Sequence, residues 1–239
     1  MQPSCSACCG APVTTPDGAE SPRADALAVV HVDDALLVLD KPAGLLAVPG
    51  RGPDKADCLS ARAQARWPDA RVVHRLDQAT SGLMVLARGP AMQRQLSQAF
   101  AERRVGKRYQ AWVHGLLRAA PAASASGWAE IDLPLILDWP NRPRSKVDHA
   151  TGKPSRTRWR VLAHDAQARR TRLELEPVTG RTHQLRVHLL ALGHPIVGDS
   201  LYGCGDGDGA GRLMLHACAL TLAHPITGQV LAFASPAPF

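Results

Sequence analysis

With 239 residues, 45% of them apolar, the chain has enough hydrophobic mass for one large domain or two small ones around a packed core. Its 28 Lys and Arg outnumber 21 Asp and Glu, and residues 1–27 hold only Arg23 against Asp17, Glu20 and Asp25, so the remainder, with 27 basic and 18 acidic residues, carries +9. That excess favours a polyanionic partner bound in a salt-dependent way, while the lack of a basic start with a long apolar run argues against a secretory signal or membrane span and for a soluble, cytoplasmic protein.

Residues 1–26, rich in Pro, Ala, Ser and Gly, show no apolar periodicity and read as a disordered tail. Structure is expected from about Ala28, with strands over Ala28–Val32 and Ala35–Asp40 separated by Asp33-Asp34. Pro42 and Gly44 end the second strand, and residues 48–53 form a loop. Asp57 is placed to cap a helix over Cys58–Arg66. Val72-Val73 and Gly82–Ala87 read as strands on either side of a His74-Arg75-Leu76-Asp77 turn. Met92, Leu96, Ala99 and Phe100 recur at helical spacing within Met92–Arg103. Lys107–His114 alternates as a strand, and residues 116–127 form an Ala/Ser/Pro linker where two subdomains would meet. Further strands are expected at Ala129–Leu133, Ser155–Leu162, Thr171–Glu176, Leu213–Leu222 and Gln229–Ala234, with a helix from about Thr182 to Leu192. Strands interrupted by a few helices indicate an α+β fold.

Two stretches hold most of the chemistry: His74-Arg75-Leu76-Asp77 with Thr80-Ser81-Gly82, and the run from Gly180 to His188, Gly-Arg-Thr-His-Gln-Leu-Arg-Val-His. The first resembles the catalytic motif of the RluA family of pseudouridine synthases. Lys41-Pro42-Ala43-Gly44-Leu45-Leu46, Lys107-Arg108-Tyr109 and the Gly180–His188 run are similar to three further motifs of that family, in the same order. Leu133-Pro134-Leu135 and Asp138–Pro143 are similar to the branch that modifies both ribosomal and transfer RNA. The resemblance implies the pseudouridine synthase fold, a central, mainly antiparallel sheet with flanking helices and a catalytic cleft, over residues 27–239. It also implies isomerisation of uridine in stem-loops, at a 746-type site of 23S rRNA and in the tRNA anticodon loop. Many relatives carry an S4-type RNA-binding module; this chain has no room for one, so the catalytic domain itself would bind RNA, with monomer as the default state.

By that resemblance Asp77 is the nucleophile, attacking the target uridine at the sugar C1′ or at the base; a lone Asp before a turn would otherwise be a cap or a solvated charge. Arg181 matches the arginine that pairs with the aspartate and would keep it ionised, although by itself it would read as a surface residue at a helix start. Tyr109 would stack on the base, where its ordinary role is packing, and Leu185 would floor the pocket. The same resemblance assigns substrate contact to His74 and Thr80. Arg75 would fill the gap left by the everted base or hold a phosphate. Arg142, Arg144, Lys146, Lys153, Arg156, Arg158 and Arg160 face one acid, Asp148, within residues 142–160, and beside Trp139 they suggest an RNA surface, with Arg142, Arg144, Arg156 and Arg158 as contacts.

No metal and no cofactor are expected. His183 and His188 lie five residues apart, about 140° around a helix, where paired zinc ligands use four. Cys5, Cys8 and Cys9 lack a fourth ligand, and residues 203–211 lack the spacing of a calcium or dinucleotide loop. A silent RNA-binding or chaperone protein is the rival reading, and retention of Asp77, Arg181 and Tyr109 together argues against it. No DNA or membrane partner is expected.

Overall fold

The computed structural model describes residues 27–52, 55–118, 127–203 and 210–239. The expected tail with its three cysteines, most of the expected linker and the Gly/Asp loop at 204–209 lie outside them. Among the described residues no helix is long and apolar enough to cross a membrane.

Strands β1 (Ala28–Val32) and β2 (Leu36–Lys41) form a hairpin. Asp33 closes its turn by accepting from the N–H groups of Ala35 at 2.7 Å and Leu36 at 2.9 Å. Helix α1 (Leu59–Arg66), the short β3 (Ala70–Val72), β4 (Ser81–Arg88) and helix α2 (Gly89–Ala101) follow. β2 and β4 are apolar on both faces because both faces are covered. Leu37, Leu39, Met84 and Leu86 pack towards Leu59 and Ala63 of α1, whereas Leu36, Val38, Leu83 and Val85 pack towards Leu96 and Ala99 of α2.

The expected cap of α1 is corrected by one residue. Cys58 is the cap, its Sγ accepting from Ala61 N–H at 3.4 Å, and Asp57 is drawn into an ion pair with Arg62 at 2.7 Å. α2 starts earlier than its apolar spacing suggested, because Pro90 fits the first helical turn, where its missing N–H costs nothing.

The second half of the sheet comprises β5 (Gly106–His114), β6 (Ala129–Asp132), β9 (Arg156–Asp165) and β10 (Arg170–Pro177), which pair in the order β5-β10-β9-β6. These strands alternate. Ala111, Val113, Trp159, Leu173 and Leu175 face one way and are covered by Leu185 and Leu189 of helix α3 (Gln184–Ala191). A hairpin absent from the sequence reading, β7 (Leu135–Leu137) with β8 (Ser145–Val147), packs Leu135 on Val187 of α3.

β11 (Leu215–Ala223) joins the two halves: it runs parallel to β4 at Ser81 and Gly82, antiparallel to β5, and carries β12 (Val230–Ala234) beyond them. The sheet order is β1-β2-β4-β11-β5-β10-β9-β6, mixed but mainly antiparallel, as expected for an α+β fold. At the junction only glycine fits, since a Cβ on Gly82, at φ +114°, would stand 2.4 Å from the Ala217 carbonyl oxygen. A buried polar chain fastens this centre. Ser235 Oγ donates to Asp40, and His216 bridges Ser235 at 3.0 Å and Ser81 at 2.8 Å.

Candidate active site

Asp77 sits in the connection between β3 and β4, where its carbonyl accepts from Thr80 N–H at 3.1 Å in a tight turn. The next residue is clamped from behind. The Gln78 carbonyl accepts from Gly44 N–H at 2.9 Å and from Lys41 Nζ at 3.0 Å. Lys41 is fully buried and also donates to the carbonyls of Pro42 at 2.9 Å and Leu45 at 2.8 Å. Burial pulls its pKa down to about 8, with Asp77 pulling the other way. The Lys41–Leu46 stretch is thereby explained as the support of the turn that carries Asp77.

Asp77 opens into a cavity of about 560 Å³ lined also by Arg75, Thr80, Tyr109, Arg181, Leu185 and Arg186. Tyr109 and Leu185 belong to the core under α3, so the pocket has an apolar floor. Burial, then the Asp77 charge, push the Tyr109 hydroxyl pKa up, so it stays protonated and available as a donor. Thr80 is buried in the wall and Arg75 is exposed at the mouth.

The pairing expected between Asp77 and Arg181 is corrected by the structure. Arg181 lines the cavity, but its guanidinium leans on the Pro154 carbonyl at 3.4 and 3.5 Å. The cation beside Asp77 is Arg186, with Nη1 3.8 Å from Oδ2. The reason is where the helix starts. α3 begins at Gln184, so Arg181 precedes it in a turn, while Arg186 lies in its first turn with its guanidinium towards Asp77. Arg186 is 3% exposed and held by a bidentate pair to Asp199, at 2.7 and 2.6 Å. Asp199 is itself oriented by the N–H groups of Leu201 and Tyr202.

His183 is the second residue that sequence reasoning passed over. It caps α3 in the left-handed region, φ 56°, a conformation that costs a non-glycine residue about 1–2 kcal/mol. That backbone aims Nε2 at Asp77 Oδ2, 3.9 Å away, while Nδ1 meets the Tyr202 hydroxyl at 2.8 Å. The Tyr202 hydroxyl also accepts from Ser145 N–H, so the His183 ring is tied through Tyr202 to the start of β8. Burial lowers the pKa of His183 from its ordinary value, against the opposing pull of Asp77. His188 has a structural role, bonded to Thr157 Oγ1 and the Leu133 carbonyl.

His74 lines the cavity with its ring already committed. Nε2 accepts from Val85 N–H at 2.9 Å and the ring stacks on Phe100, so the side chain holds β4 instead of reaching for substrate. Arg156 and Arg158 project from the other face of the sheet, because Thr157 between them points to α3 and bonds His188 and Gln184. They pair with Glu130 at 3.6 Å and Glu176 at 3.0 Å. Arg142 and Arg144 lie on the exposed turn of the β7–β8 hairpin, Arg142 stacked 4.5 Å over Trp139. Arg103 and Lys107, given no site role from the sequence, line the cavity instead.

The RNA pseudouridylate synthase family model matches residues 35–191. The dual-specificity RNA pseudouridine synthase RluA of Escherichia coli K12 is 46% identical over 219 residues, covering 91% of this chain and 96% of the relative. The enzyme of the same name from Vibrio vulnificus is 48% identical over 201 residues, covering 82% and 78%. Among solved structures, human RNA pseudouridylate synthase domain containing 1 superposes with a TM-score of 0.74 at 32% identity, over 92% of this chain and 87% of that one. The family match and these relatives agree, and the chain belongs to the RluA family of pseudouridine synthases, isomerases that act on uridine in RNA.

Proposed function

We propose that Asp77 is the nucleophile of this isomerase and that its substrates are stem-loops of both ribosomal and transfer RNA. The carrying observation is that Asp77 is the one carboxylate lining the cleft among the described residues, 3.8 Å from a buried guanidinium. In the reaction the N1–C1′ bond of uridine breaks and a C5–C1′ bond forms. The C5 proton leaves and N1 gains one, so atoms and electrons balance within the nucleotide and no redox partner is called for. Arg186 and His183 flank the Asp77 carboxylate and orient it towards the cleft, Tyr109 covers one face of the everted base, and Leu185 closes the apolar floor. Arg75, exposed at the mouth, takes the space vacated in the RNA stack.

The two substrate classes are supported by the name shared by the similar bacterial enzymes, dual-specificity RNA pseudouridine synthase. We assign to this chain the 746-type site of 23S rRNA and the tRNA anticodon loop, acted on by a cytoplasmic monomer. Pseudouridine mapping of total RNA from cells with and without the protein tests this. Loss of one site in each RNA class is expected; unchanged maps would overturn it.

A further inference from the structure

Beside the catalytic cleft lies a second cavity, about 390 Å³, whose wall towards the cleft is Gly180 and Arg181. Its floor is Leu135, Ile136 and Leu137 of β7, and its rim carries Lys153 and Arg181. The lining contains no acidic residue, and neither cation has an acidic partner among the described residues. Two features make it a built site. Leu135 is buried against Val187 and Tyr202, so the floor is anchored to the helix that presents Arg186 to Asp77. Gly180, which lines both cavities, has open space where a side chain would stand.

An apolar floor with two unneutralised cations at its edge matches one chemistry, a flat heterocycle attached to a phosphodiester. We propose that this cavity receives the nucleotide adjacent to the target uridine in the same strand, its base on the β7 floor and the intervening phosphate between Arg181 and Lys153. The inference rests on the uridine-isomerase reading. It gives Arg181 a role as a specificity-determining residue, recognising the RNA beside the reacting base. A volume of this size takes a single nucleotide and excludes a base pair, so the neighbour must leave the stack as well. Selection would therefore favour loops in which two consecutive nucleotides are free to turn outward.

The test is a cycle between protein and RNA. A stem-loop substrate is prepared in three forms: intact, with an abasic residue 5′ of the target, and with one 3′ of it. Binding and single-turnover conversion are measured for the wild type and for Ile136→Trp, which fills the cavity. One abasic form should bind the wild type about tenfold more weakly. The same change should cost Ile136→Trp little, since the pocket is already closed. Equal losses in both proteins, or no loss with either abasic RNA, would overturn the proposal. Thr151→Trp, from the exposed rim, replaces Ile136→Trp if thermal melts show that variant unfolded. Lys153→Gln should reduce the slope of log affinity against log salt by about 0.7; an unchanged slope would remove the phosphate from between the two cations. Repeating the cycle with Asp77→Asn separates the ideas. Turnover by Asp77→Asn would sink the nucleophile assignment and leave the subsite standing, whereas absent coupling with turnover abolished would sink only the subsite.

Discussion

The two faces of the β5-β10-β9 sheet carry similar numbers of cations and differ in what surrounds them. On the face away from the cleft, Arg108, Arg158 and Arg160 stack around Trp128, with guanidinium carbons 4.7, 5.2 and 4.9 Å from its ring centre. Glu176 neutralises Arg108 and Arg158, and Glu174 neutralises Arg160. On the cleft side Arg75, Arg103, Lys107, Arg181 and Arg186 line a cavity whose one carboxylate is Asp77. The difference teaches that attraction for a polyanion depends on which cations lack acids across the strand, and much less on how many stand together in sequence.

Replacing Asp77 with Asn should have the largest effect, a loss of product on the order of 10⁴ or more, with RNA affinity within about threefold. Residual turnover in a mapped pseudouridine assay would break the contrast at its centre. Arg186→Gln should come next. Conversion should fall by about 10²–10³, and urea melts should show a stability loss of about 3–5 kcal/mol, because Asp199, with no side-chain exposure, would keep a buried charge without its partner. Arg75→Gln with Arg103→Gln should weaken binding about tenfold and lower the salt slope by about 0.7 for each phosphate contact removed, read from affinity titrations over a salt series.

Acid should sharpen the comparison from another direction. Burial, with a smaller contribution from Lys107, holds the His74 pKa at about 3, below its ordinary 6.5. Between those values the unfolded chain binds the proton and the folded one does not, so His74 makes stability fall as pH drops from 6.5 towards 3. His74→Phe should flatten that decline in urea melts, and Arg158→Gln should leave it as it is. The smallest effect belongs to the back face. Arg156→Gln with Arg158→Gln should change RNA affinity by less than about twofold and leave the salt slope unaltered. A steeper loss there would mean that RNA wraps the rear of the sheet.

Most strands were legible because their burial has a two-residue period or an unbroken apolar run, and those signals need only local sequence. The β7–β8 hairpin was hidden because each strand has three residues and the turn between them, with Trp139, Pro140 and Pro143, reads as loop. Asp77, Tyr109 and Leu185 were identified through motif resemblance, and the cleft does bring all three together. Arg186 stood in the same quoted run as Arg181 and was passed over. Choosing between them required the first residue of α3, which the left-handed His183 delays to Gln184 and no periodicity reveals. The masking of Arg158 and Arg160 was recoverable: Arg-x-Arg on one arm of a hairpin faces Glu-x-Glu on the other, pairing Arg160 with Glu174 and Arg158 with Glu176.

The placement of β11 sets a schedule for the protein's birth. The strand that cements Asp77's half of the sheet to Tyr109's half, β11, comes after the strands of both halves in the chain, and Ser235, which follows β12, ties the centre of the sheet to Asp40. A ribosome must therefore have made the strands of both halves before the two walls of the cleft can be joined, so the site assembles as a late event of folding.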